Sequence, residues 1–137
     1  MRCEEALAKL GSRDDLLSDD ERTFLDEQGS LPLPGILDEQ QVTALRQRFD
    51  ELVEEEGTTA GTEVHQEAGT NRLSNLVDKG EIFEICFTQP RVLSAMRHVL
   101  GPEFRLSSLN GRASLPGQGL QGLLDDLCWL IVCEGHS

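Results

Sequence analysis

Two groups of side chains stand out by their chemistry, and the first has the types and spacing of a metal pair. His65 and Glu67 stand two residues apart, a spacing that would place both on one side of a strand. Asp125 and Asp126 follow a Pro/Gly-rich loop, after an extended run that begins at Phe104. Imidazole and carboxylate groups are ligands for divalent transition metals. A histidine in a polar loop is also an ordinary surface residue, and that alternative stays open for His65.

A third set lies near the end of the chain, where Cys128, Cys133 and His136 form a C-x4-C-x2-H pattern. A structural zinc site needs four ligands, and this set offers three. The surrounding residues, 127–137, are dense in apolar side chains with little alternation. A fully buried strand explains the same run without a metal.

Composition restricts the classes of partner. The 137 residues include 25 acidic and 12 basic ones, for a net charge of −13. Such a surface repels phosphate backbones and anionic lipid, so nucleic-acid binding and membrane-surface binding are disfavoured. The chain shows neither a membrane span nor the apolar core of a secretory signal. We therefore expect a soluble cytoplasmic protein of one small domain, with its four cysteines reduced.

Helical patterns precede the candidate ligands and would support them. Ser18 and Glu21 form a capping box, which predicts a short helix through Gln28. A second helix is predicted from about Glu39 to Glu55, and Pro90 suits the first turn of another. The apolar residues expected to face the core are Phe24 and Leu25 in the first helix, Val42, Leu45, Phe49, Leu52 and Val53 in the second, and Val92, Leu93, Met96, Val99 and Leu100 in the third.

Strands are predicted in three places. Residues 30–37 contain two prolines, which restrict them to an edge strand or an extended connector. Residues 71–77 alternate, with Leu73 and then Asn75 and Val77 on one face. The run from Phe104 towards the Pro/Gly loop is the third. The acidic end of the second helix, residues 54–56, opposes the helix dipole and is expected to fray.

The order of these segments resembles the phytanoyl-CoA dioxygenase family of non-haem iron, 2-oxoglutarate-dependent oxygenases. The resemblance rests on His98-Val99-Leu100-Gly101 and on the run from Phe104 to Asp126, and it covers roughly residues 18–126. In that family the region ends in a His-x-Asp-Trp motif. The corresponding residues here are Leu124, Asp125, Asp126 and Leu127, so the Asp is present while the His and the Trp are not.

The resemblance implies Fe(II) and 2-oxoglutarate as cofactors. A ferrous centre of this kind takes two imidazoles and one carboxylate on one face of the metal and leaves the other face for 2-oxoglutarate and dioxygen. The resemblance implies that Asp126 is the carboxylate ligand, with Leu124 in place of an imidazole. It also implies that Asn110, Arg112 and Gln121 line the cosubstrate or substrate pocket. Asn110 and Arg112 are equally well explained as surface residues of an edge strand.

We therefore expect an α+β fold, with N-terminal helices packed on the first strands of an incomplete double-stranded β-helix of the jelly-roll or cupin-like type. Residues 1–17 would be a leader, either a frayed helix or disordered. Residues 18–126 would be the N-terminal part of an oxygenase-like domain. Residues 127–137 would be an apolar tail unlike the family, and an interrupted reading frame near residue 122 would explain the change.

The expected function is that of a truncated member of the family. Its complete relatives would hydroxylate small organic or acyl substrates with Fe(II) and 2-oxoglutarate. This chain supplies at most one ligand of the iron centre and no assigned catalytic residue, so it is not expected to act alone. The alternative is a non-catalytic interaction module that self-associates, or binds a partner, through an exposed sheet edge or the apolar tail. An unrelated small acidic helical protein is a third interpretation.

Overall fold

The structure is a computed structural model that describes residues 2–62, 69–115 and 117. Over those residues the chain forms five α-helices and one antiparallel sheet of two strands, which confirms the predicted α+β class. The helices are α1 (Cys3–Lys9), α2 (Asp19–Gln28), α3 (Glu39–Glu56), α4 (Ile85–Thr88) and α5 (Pro90–Leu100), and the strands are β1 (Thr70–Leu73) and β2 (Gly111–Ser114). No helix within the described residues combines the length and the apolar character needed to cross a membrane.

The chain divides into two compact units. The described residues of the first are 2–36 and 84–107, and those of the second are 37–62, 69–83, 108–115 and 117. Each unit therefore joins segments that are distant in the sequence.

The first unit is helical, and its core joins α2 to α5 through Leu17, Leu25 and Ala95. Helix α2 begins at the predicted capping box, where Glu21 N donates to Ser18 Oγ at 3.2 Å and Ser18 N donates to the Glu21 carboxylate at 2.9 Å. These bonds satisfy amides that the first helical turn leaves unpaired.

The N-terminal segment, expected to be a frayed helix or a disordered leader, contains helix α1. Leu7 of this helix is buried, and so is Ser12, which follows it. The hydroxyl oxygens of Ser12 and Ser94 are 3.1 Å apart, and Ser94 Oγ also donates to the Arg13 carbonyl at 3.0 Å. Buried polar groups need partners of this kind, so the serines fasten this segment to α5.

Two apolar residues that were predicted to face the core are largely exposed in this unit. The exposed fraction is 44% for Phe24 in α2 and 55% for Val99 in α5. The buried residues of α5 are Leu93, Ser94 and Ala95. Leu93 is buried as predicted, whereas the burial of Ser94, which contacts the N-terminal segment, and of Ala95 was not predicted.

The second unit contains α3 and the sheet. Helix α3 begins at Asp38, whose carboxylate accepts a hydrogen bond from Gln41 N at 2.8 Å. Leu52 is buried as predicted, whereas Val42 is 41% exposed. The predicted fraying is wrong, because the helix extends through Glu56. Cations offset the acidic end: Arg48 pairs with Glu55 at 2.9 Å, and Lys79 pairs with Glu56.

The strand predicted over residues 71–77 is shorter in the structure, since β1 ends at Leu73. Asn75 has a left-handed backbone (φ 51°), and residues Leu76–Asp78 form a 3₁₀ turn. Residues 30–37 form an extended connector with a turn rather than a strand. The run from Phe104 becomes a strand only at Gly111.

The two strands pair antiparallel, with Arg72 opposite Arg112 and Leu73 opposite Gly111. Leu73 is fully buried, and the space in front of Gly111 is filled by the side chains of Phe49 and Leu76. One face of the sheet therefore packs against α3. Because side chains alternate along a strand, the other face carries Thr70, Arg72, Arg112 and Ser114, and we call it the arginine face.

Candidate functional site

Many of the residues singled out by the sequence lie outside the described part of the chain. These are His65, Glu67, Gln121, Leu124, Asp125, Asp126, Cys128, Cys133 and His136. The iron ligand predicted at Asp126 and the alternative zinc set therefore stay predictions. Asn110 and Arg112 are both described.

Asn110 directly precedes β2 and contacts the segment that follows β1. Its side-chain Oδ1 accepts a hydrogen bond from Asn75 N at 3.1 Å. Asn75 in turn donates from Nδ2 to Asp78 Oδ2 at 2.6 Å. These bonds hold the left-handed turn at Asn75, a conformation that residues other than glycine seldom adopt. Asn110 therefore has a structural role, and its place in a cosubstrate pocket stays a prediction.

Arg112 lies in β2 directly opposite Arg72 in β1. Residues that are directly opposite in an antiparallel pair project from the same face, so both guanidinium groups belong to the arginine face. Arg72 Nε and Arg112 Nε and Nη2 are buried from solvent, although both residues are only partly buried as a whole. The structure thus brings together two cations that are forty residues apart in the sequence.

The sequence singled out Arg112 and missed Arg72. Thr70 and Arg72 are two residues apart, as are Arg112 and Ser114, so both segments place a hydroxyl residue and an arginine on the same face of a strand. That shared spacing was the signal from which Arg72 could have been found. It could not be used without the strand register, because a shift of one residue would move Arg72 to the opposite face.

His98 on α5 lies in the first unit, where its Nε2 is 2.7 Å from Asp26 Oδ1 on α2. It is the one histidine within the described residues. The described residues also contain no group of three His, Cys, Asp or Glu side chains that could hold a metal ion. One imidazole and one carboxylate are fewer than a ferrous facial triad requires, so the described donor set does not fit that centre.

A polar cavity of about 250 Å³ adjoins His98, and its lining includes Glu4, Asp14, Arg22, Ser94 and Arg97. Arg97 lies 3.3 Å from Asp14 and 3.8 Å from Glu4. Arg22 donates to the carbonyl oxygens of Asp14 and Leu17. The cations of this cavity thus serve contacts within the unit, and its formal charges balance.

Comparison with known proteins identifies one family. The family model for phytanoyl-CoA dioxygenase matches residues 25–115. A search of curated proteins found no significant match, and neither did a search of solved structures. The matched region runs from α2 to the residue after β2, so it includes Asn110 and Arg112 and ends before Leu124 and Asp126.

Proposed function

Because the chain belongs to the phytanoyl-CoA dioxygenase family, we propose that its residues 25–115 are the N-terminal part of an oxygenase-like fold. We further propose that this chain does not assemble a complete iron centre by itself. In this proposal α3 supports β1 and β2 as the first strands of a jelly roll. Relatives in the family generally use Fe(II) and 2-oxoglutarate to oxidise their substrates.

The donor set carries the proposal. A ferrous facial triad takes two imidazoles and one carboxylate. The chain has three histidines, His65, His98 and His136, and His98 is paired with Asp26. The position that would supply the family's first imidazole holds Leu124, whose side chain cannot bind a metal. Asp126 is then the only residue of the family's motif that could serve as a ligand.

Anaerobic titration of the purified chain with Fe(II) and 2-oxoglutarate tests this. A 2-oxoglutarate chelated to Fe(II) produces a visible charge-transfer band. We expect no saturating band from the native chain when circular dichroism shows that it is folded. A band that saturates in the native chain and disappears in Asp126→Ala would overturn the proposal.

Restoring the motif gives a positive arm to the same experiment. Leu124→His recreates His-x-Asp and should raise the affinity for Fe(II), and Asp126→Ala in that background should abolish the gain. Leu123→His adds the same imidazole one position away, where it would project differently from a strand. It should give no gain, which makes it the matched control.

A second candidate function is that of an interaction module. The sheet has two strands within the described residues, and unpaired strand edges are templates for pairing with another chain. Under this proposal the chain self-associates through a sheet edge or its apolar tail. Light scattering across a concentration series would reveal a defined dimer, whereas a monomer at every concentration would contradict self-association.

A further inference from the structure

We propose that Asn110 is a site of self-modification, where the chain deamidates without an enzyme when the pairing of β1 and β2 opens. Asn110 directly precedes Gly111, and both residues belong to the second unit. The reaction involves only the main chain and one side-chain amide. The proposal is therefore independent of iron binding and of the proposed functions above.

The reaction needs these two residues and water. The main-chain nitrogen of Gly111 attacks Cγ of Asn110, and the new C–N bond closes a five-membered succinimide ring. The side-chain nitrogen leaves as ammonia and takes the proton of the Gly111 amide. Water then opens the ring at one of its two carbonyl groups, which gives aspartate or isoaspartate. Glycine in the second position favours the attack, because a backbone without a Cβ can reach the required dihedral angles.

The pairing of the strands withholds the attacking nitrogen. Leu115 N donates to the Gly69 carbonyl at 2.9 Å, one pair beyond the end of the sheet and in the same register. Hydrogen-bonded and non-hydrogen-bonded pairs alternate along an antiparallel ladder, and by this alternation Leu73 and Gly111 form a hydrogen-bonded pair. The Gly111 amide thus donates its proton to the Leu73 carbonyl and is not available for the attack.

Packing also restrains the two reacting groups. Asn110 Oδ1 accepts a hydrogen bond from Asn75 N at 3.1 Å, which fixes the side-chain amide. Gly111 is buried against Phe49 and Leu76, so its backbone cannot rotate freely. Asn110 is itself partly exposed, so water can reach the ring once it forms. The reaction therefore requires the sheet to open, and its rate follows the population of the open state.

The isoaspartate product would not fit back into the sheet. Isoaspartate lengthens the main chain by one carbon atom between Leu109 and Gly111. The Leu109 carbonyl accepts a hydrogen bond from Leu76 N at 2.8 Å, and Gly111 lies opposite β1. A single Cβ at Gly111 would already lie 2.5 Å from Phe49 Cε2, so there is no room for the shift that the longer chain requires. An opening that leads to isoaspartate is therefore irreversible.

The test is peptide mass spectrometry of the purified full chain after incubation at neutral pH with and without urea. Asn71 and Asn75, which precede arginine and leucine, are internal controls. In urea, Asn110 should deamidate several-fold faster than either of them. In the folded chain the rate at Asn110 should be lower by about ten-fold or more, because only the open fraction reacts. Equal rates at Asn110 with and without urea, or no excess over the two controls in urea, would overturn the proposal.

Two leucine variants separate opening of the sheet from global unfolding. Leu73→Val trims a fully buried residue of β1 and should raise the rate at Asn110 in the folded chain about three-fold or more, since lost packing favours the open state. Leu25→Val makes the same change in the core of the first unit and should leave that rate unchanged. Equal acceleration by both variants would mean that global unfolding exposes the site, and it would overturn the role of the sheet.

Asn110→Asp is the matched control for the product. It keeps the length of the main chain and an oxygen that can accept the hydrogen bond from Asn75 N. The chain with isoaspartate at position 110 should unfold at a lower concentration of urea than this variant. Equal midpoints for the two chains would contradict the claim that the longer main chain cannot re-form the sheet.

Discussion

Lys79 Nζ lies 2.5 Å from Glu56 Oε1, and the two side chains are only 20% and 23% exposed. This ion pair joins the last residue of α3 to the residue that follows the 3₁₀ turn Leu76–Asp78. A carboxylate at the C-terminal end of a helix is unfavourable because the helix dipole is negative there. The lysine therefore neutralises the charge that would otherwise fray α3, and it fixes the turn beside Gly111.

Lys79→Gln should lower the free energy of unfolding by about 1.5–3 kcal/mol, since it leaves a mostly buried carboxylate without its cation. Urea denaturation followed by circular dichroism would measure the change. Asp15→Asn is the matched control, because its partner Arg13 and Asp15 itself are 67% and 73% exposed. That variant should change stability by less than about 1 kcal/mol. Equal effects of the two substitutions would contradict the role assigned to Lys79.

Gly111→Ala should destabilise the second unit by overpacking. A Cβ at this position would lie 2.5 Å from Phe49 Cε2 and 2.9 Å from Leu76 Cδ1, closer than real contacts allow. Forcing such a group into a packed core costs about 1–3 kcal/mol. In a Phe49→Leu background the cost of the same alanine should fall, because the ring edge that it meets is gone. An unchanged cost in the double-mutant cycle would show that the clash lies elsewhere.

Glu21 should make the free energy of unfolding of the chain depend on pH in the acid range. Hydrogen bonds from Ser18 N and from Arg91 hold the pKa of the Glu21 carboxyl below its usual value. Because the folded-state pKa is the lower one, the stabilisation is complete above the ordinary glutamate pKa and is lost as pH falls through the folded value. The difference in free energy of unfolding between the native chain and Glu21→Gln should therefore shrink as pH is lowered from about 7 to about 2.5.

Glu27→Gln, which removes an exposed carboxylate from the same helix, is the control for that series. It should show a much smaller change in the difference over the same range of pH. A Glu21→Gln difference that stays constant with pH would mean that its contacts do not favour the ionised form.

Cys86 should react slowly with alkylating reagents in the folded chain. Burial raises the pKa of its thiol, so less of the reactive thiolate is present at neutral pH. Peptide mass spectrometry after timed iodoacetamide treatment would measure the rate at this residue alone. The rate should rise when the chain is unfolded in urea. Equal rates in the folded and unfolded chain would contradict the protection.

The parts of the fold that the sequence predicted well depend on local signals. The capping box at Ser18 and the N-cap at Asp38 place the starts of α2 and α3, since the side chain and the amide that it binds are three residues apart. The length of β1 was predicted wrongly, because the alternation continues to Val77 while the backbone turns at Asn75. That turn is held by Asn110, a partner too distant for local pattern to reveal.

The same distinction applies to the candidate site. Arg112 could be singled out from its position in an extended run, but its significance depends on which residue of β1 lies opposite. Register depends on the burial of Leu73 and on the packing of Gly111 against Phe49 and Leu76, and these four residues are spread over four segments of the chain. The replacement of the family's histidine by Leu124 could be recognised from the sequence, because comparison with a motif does not require knowledge of which residues are neighbours in space.

The separation of the two strands along the chain also determines the order in which the sheet can fold. Residues 74–110, including all of α4 and α5, lie between β1 and β2. During synthesis β1 therefore has no partner strand β2 until α5 and the residues after it have been made. Closing so long a loop costs entropy before any strand contact compensates for it. We infer that α3 and the other helices form early, and that the sheet, with its two arginines, is a late product of folding.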